Sequence, residues 1–149
     1  MKSRLLPLAL ALIVGCVAPT LGRAQEHKHK EPETELGNTM DKMNGAWRKL
    51  KKQVADPASN ASSLELVATI GAAADKAATL KPARLTDVPA ADQAKFLADY
   101  QAQMKDFGAQ IAKLGAALKA NDNAAAQAIV QKMGAMQKEG HKDFKRPDM

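Results

Sequence analysis

A single cysteine among 149 residues excludes an internal disulfide, and that cysteine, Cys16, falls in a segment unlike the rest of the chain. Aromatic residues are also scarce, with one Trp, one Tyr and three Phe. No run of basic residues is interleaved with aromatics, so stacking platforms for single-stranded nucleic acid are not expected, and Arg48, Lys49, Lys51 and Lys52 read as the wet face of a helix. No segment alternates polar and apolar residues with period two, so strands are not expected. Phosphate loops and Gly-x-Ser-x-Gly elbows are absent, and no histidine stands near a serine and a carboxylate in a recognisable arrangement. The chain reads as a non-enzyme.

What is present begins with a leader. Lys2 and Arg4 precede an apolar run from Leu5 to Val17 that is too short to span a bilayer comfortably, which is the pattern of a secretory signal peptide. Two processing readings compete. Gly22-Arg23-Ala24 is a small-x-small site releasing a soluble periplasmic chain that starts at Gln25, the reading taken here, while Ile13-Val14-Gly15-Cys16 resembles a lipobox that would anchor the chain to a membrane through a lipid on Cys16. Cleavage after residue 24 also removes Lys2, Arg4 and Arg23, leaving 19 basic residues against 16 acidic and a net charge of +3 in place of +6. About 125 remaining residues make one domain with a core of its own, and a monomer is the simplest reading.

Residues 25–35 form a charged, proline-containing tail with nothing to bury and are expected to be disordered. From 36 to 146 the pattern becomes helical. Leu36, Met40, Met43, Trp47, Leu50 and Val54 recur at spacings of three and four, and Asp56-Pro57 ends that helix. A second follows a cap in the 60–63 stretch, with Leu66, Ile70, Ala73, Ala77 and Leu80 on one stripe, and Pro82 stops it. After a proline-bearing linker a third starts near Ala90, with Leu97, Tyr100, Met104, Phe107, Ile111, Leu114 and Leu118 in register. The fourth runs from about Ala124 to Phe144 on Ala126, Val130, Met133, Gln137, Gly140 and Phe144, a stripe that weakens conspicuously at Gln137 and Gly140. The fold class is therefore all-α, an antiparallel up-down-up-down four-helix bundle with left-handed packing.

In such a bundle the start of the first helix and the end of the last share one end of the molecule. Met40 lies near that start, and His141, the only histidine of the helical region, lies one turn before that end. A thioether and an imidazole so placed can clamp one metal centre from opposite sides, which points to a haem. Taken singly, Met40 is core filler beside Met43, and His141 complements the helix dipole. Phe96 and Tyr100, four residues apart, fall at the same end in reach of a haem face.

From Leu36 to Arg146 the sequence resembles the cytochrome b562 family, within the wider cytochrome c-prime-like bundles. The resemblance is carried by a leucine four residues before Met40, an Asn-Ala turn into the second helix, a proline-bearing link to the third, and the ending His141, Phe144, Lys145 in a His-x-x-aromatic-basic pattern. It implies one non-covalent haem b per chain, Met40 and His141 as the axial iron ligands, and electron transfer with an unidentified redox partner protein. The Cys-x-x-Cys-His of the covalent relatives has Gln137 and Gly140 at its cysteine positions here, which excludes covalent attachment. Gln137 departs from the arginine that similar proteins can carry one turn before the histidine to pair with a haem propionate. Lys138, Lys142, Lys145 or Arg146 is available to substitute, and the same four residues also read as a solvated, dipole-complementing helix end. A helical glycine costs about 1 kcal/mol relative to alanine, and the bare Gly140 is expected to let the flat macrocycle approach beside His141.

Two other readings stay open. A haem-free periplasmic bundle acting as a binding or envelope-stress protein needs neither ligand. Copper or nickel handling by His27 and His29 needs only the tail, since cleavage after Ala24 places a histidine third from a free amine.

Overall fold

Residues 34–146 are described by the computed structural model, and the leader, Cys16, His27 and His29 lie outside them. Four helices follow one another: α1 (Glu35–Gln53), α2 (Asn60–Thr79), α3 (Gln93–Lys119) and α4 (Asn123–Phe144). Single 3-10 turns occupy two of the links, Pro57–Ser59 and Ala83–Asp87, and no strand occurs among the described residues.

Several starts have a local side-chain cause, while α2 and α3 begin without a side-chain cap, the one expected in the 60–63 stretch included. Thr34 Oγ1 accepts the Gly37 N–H at 2.9 Å and caps α1, so Thr34 and Glu35, expected in the tail, are ordered parts of the bundle. Asp56 accepts the Ala58 N–H at 3.0 Å and opens the first 3-10 turn, with Pro57 supplying a preset φ. Asp122 accepts the Ala125 N–H at 2.9 Å at the head of α4. Before it, Asn121 takes a φ of 56°, a left-handed conformation that asparagine tolerates better than most residues. The start of α3 comes later than Ala90 because residues 89–92 close a turn, the Asp92 N–H reaching Pro89 O at 2.8 Å.

Contacts between helices give their directions. Gln53 at the end of α1 donates to Ser62 and Ser63 at the start of α2 (2.8 and 3.0 Å), while Lys76 near the end of α2 pairs with Glu35 at the start of α1 (2.8 Å). The Tyr100 hydroxyl, early in α3, donates to Ala77 O late in α2 at 2.9 Å, and Phe96 and Tyr100 meet Phe144 at the end of α4. Each pair joins the end of one helix to the start of the other, so consecutive helices run in opposite directions.

Burial is uneven along the bundle. Leu50, Ile70, Leu114, Leu118 and Met133 are almost wholly enclosed, and with Trp47, Val54, Val67 and Val130 they form the core. In α2 Val67 is buried and Leu66 only half-buried, so the α2 stripe is rotated slightly from the expected one, with Ser63 in the interior. The far end is closed by a polar cluster: Asn123 donates to Val54 O and Asn60 Oδ1, both at 2.8 Å, and Asn60 donates to Asn121 Oδ1 at 2.9 Å. At the opposite end Met40, Leu97, Met104, Phe107, Gln137, Gly140 and Phe144 are only half-buried despite their place on the stripes. α1 and α4 approach each other least of the neighbouring pairs.

Candidate functional site

A cleft open to solvent, with about 80 Å³ of room inside it, occupies this less packed end. Helical spacing builds it. On α1, Met40, Met43, Asn44 and Trp47 face it from successive turns, and on α4 Met136, Gln137, Gly140, His141 and Phe144 do the same. α3 contributes Tyr100, Gln103, Met104 and Phe107, and Ile70 of α2 reaches its floor. Among the described residues, the only ionisable side chains on the lining are His141 and Tyr100, and no lysine, arginine or carboxylate takes part.

Seven of the residues singled out in the sequence meet here: Met40, Met43, Tyr100, Gln137, Gly140, His141 and Phe144. Two do not. Phe96 is screened from the cleft by Phe144, against which it packs edge-on at 5.2 Å and 66°, and it lines a shallower neighbouring groove with Arg84, Val88 and Asp99. Lys145 is exposed just past α4, where its N–H closes the last turn onto His141 O at 3.1 Å. Sequence reasoning in turn left out Asn44, Gln103 and Met136, which fall beside the apolar stripes and carry no periodic signal. It placed Trp47, Met104 and Phe107 as core, though they also face the cleft.

Some polar atoms of the lining have partners and others do not. Tyr100 gives its hydroxyl to Ala77 O, and burial pushes its pKa up to about 12, so it stays protonated at neutral pH. Gln137 Nε2 donates to Asn44 Oδ1 at 2.8 Å, a bond from α4 to α1. The space over the bare Gly140 is taken: a Cβ there would stand 2.8 Å from Gln103 Oε1, so the glycine makes room first for a carboxamide of α3. Trp47, 4 % exposed, keeps its indole Nε1 buried with no acceptor among the described residues.

The turn that carries His141 is fastened to the α2–α3 link. Arg84 donates to Lys142 O and Asp143 O at 2.7 and 2.8 Å, satisfying carbonyls that a helix end otherwise leaves open. Arg146 pairs with Asp87 at 2.7 and 2.9 Å and reaches Thr86 at 2.6 Å; the hydrogen bond from Arg146 holds the Asp87 carboxyl below its ordinary range. Arg146 therefore serves as a fastener and does not line the cleft, and neither do Lys138, Lys142 and Lys145.

The donor set suits one kind of group. Among the described residues no three His, Cys, Asp or Glu side chains gather to hold a bare divalent ion. A thioether and an imidazole on separate helices, across an open apolar cleft with broad aromatic walls, fit a metal that brings its own equatorial ligands. No helix among the described residues is long and apolar enough to cross a membrane. No curated protein and no solved structure matches the chain. The family model for cytochrome b562, a standard four-helix bundle, matches residues 35–145, which is nearly all of the described chain. With that match over the helices that build the cleft, the chain belongs to the cytochrome b562 family of haem-binding bundles.

Proposed function

We propose that this protein is a b-type cytochrome holding one non-covalent haem between Met40 and His141, and that it carries single electrons in the periplasm. The observation that carries the reading is that these two side chains, from opposite ends of the sequence, line one apolar cleft. Bound haem supplies a one-electron iron couple. The chain does the rest. His141 offers a neutral imidazole nitrogen from the last turn of α4, a turn that Arg84 keeps from fraying. Met40 offers a soft thioether that favours the ferrous state and raises the potential. The apolar walls from Met43, Trp47, Met104, Phe107 and Phe144 keep water from the site, and Tyr100, protonated and tied to Ala77, adds no charge. Two side-chain ligands leave no position for a third molecule, which favours electron transfer over catalysis. The leader supports the periplasmic location, with a lipid on Cys16 as the form that cleavage at the lipobox would produce.

Titration of the purified mature chain with haemin, followed by reduction, tests this. The expected result is sharp low-spin ferrous bands at one haem per chain, lost in His141→Ala. A featureless, non-stoichiometric titration would leave the fold intact and make a haem-free binding bundle the better reading.

A further inference from the structure

We infer that the Asn44–Gln137 amide pair receives a carboxylate of the bound haem, in the role that a cation would otherwise fill. The inference rests on the haem reading above. Asn44 lies one turn beyond Met40 on α1, and Gln137 one turn before His141 on α4, so the pair spans the two helices beside both ligands. Their one mutual bond, 2.8 Å long, uses a single N–H of Gln137. The other N–H of Gln137 and both of Asn44 have no acceptor among the described residues, and both side chains line the cleft.

Haem b carries two carboxylates on one edge, and a carboxylate brought against apolar walls requires donors. Among the described residues no lysine or arginine lines this cleft. Arg84 is committed to the end of α4, and Arg146 to Asp87. Among the neutral donors on the lining, three N–H groups are held together beside the ligand pair, and hydrogen bonds to an ionised acceptor are the stronger kind. Recognition by neutral amides leaves the carboxylate's own charge uncompensated inside the site. Binding then depends on N–H geometry more than on ion pairing.

The test compares haemin with its dimethyl ester, in which both carboxylates are methylated, by absorbance titration of the mature chain, Gln137→Ala and Asn44→Asp. Asn44→Asp preserves shape and replaces two donors with a like charge, and circular dichroism verifies that the helices persist. The unaltered chain is expected to prefer haemin, and each variant to lose about tenfold or more in haemin affinity while changing less than about twofold for the diester. Gln137→Arg is expected to tighten haemin binding and to make it sensitive to salt. Equal losses for both haems would mean that the pair only shapes the cleft and would overturn the inference, as would unchanged haemin affinity in Gln137→Ala and Asn44→Asp. Absence of stoichiometric binding by the unaltered chain would instead overturn the haem reading itself, and the inference with it.

Discussion

Met40 and His141, the proposed ligands, are held unequally by the fold. His141 sits on a turn that Arg84 and the Lys145 N–H both fasten, whereas Met40 lies on the first turns of α1 and is held by packing. Met40→Ala is therefore expected to retain one haem per chain with a five-coordinate spectrum and a lower potential, both read by spectroelectrochemistry. Unchanged bands in that variant would remove Met40 from the ligand set. Tyr100 allows a separate test. Its pKa rises from 10.0 to about 12 because ionisation would leave a charge in the interior. A raised acid pKa means that the folded state holds its proton where the unfolded chain has lost it. The stabilisation is thus complete below pH 10 and disappears as the pH climbs toward 12. Urea unfolding at pH 9 and pH 11.5 should show this alkaline loss in the unaltered chain, and a smaller one in Tyr100→Phe. Equal losses in the two proteins would place the effect elsewhere.

At the scale of helices and links, the two ends of the bundle are closed differently. The far end uses neutral amides: Asn123 holds Val54 O and Asn60, tying the end of α1 to the starts of α2 and α4. Asn123→Ala leaves those buried groups without partners and is expected to cost about 1–3 kcal/mol in denaturant unfolding, with no change in the haemin titration. A change in haem affinity would mean that the two ends are coupled. The site end uses charge, through Arg84 on the α2–α3 link and Arg146 just past the end of α4. The existence of the four helices was legible from the threes and fours of their apolar residues, and the end of α1 from Asp56-Pro57. The ordered turn at Ala83–Asp87 was not, because two prolines read as a plain break and its anchor is a distant helix end.

Across the described residues the well-packed core reaches the cleft at Trp47 and Ile70, which belong to both, and the site half is left incompletely filled. A group that binds only the folded chain adds stability by mass action. Haem at a hundred times its dissociation constant should contribute about 2.7 kcal/mol, which for a domain of this size raises the melting temperature by roughly 10 °C. Calorimetry of the chain with and without haemin checks this, and coincident transitions would argue against a site in the folded state.

The sequence by itself determined what local chemistry and periodicity determine: the number of helices, most of their ends, their buried faces, and the placement of a thioether and an imidazole at one end. The weakened stripe at Gln137 and Gly140 already marked where packing would fail, and the structure sets the cleft there. Tertiary structure alone decided which side chains share that cleft. Phe96 and Tyr100 are equivalent by spacing, yet Phe144 comes between Phe96 and the cavity while Tyr100 lines it. Asn44 and Gln137 meet across α1 and α4, and Gln103 of α3 covers Gly140, contacts between residues far apart in sequence. Such contacts depend on how far the helices splay. That distance is set by the summed packing of all four, and no single stretch of sequence encodes it.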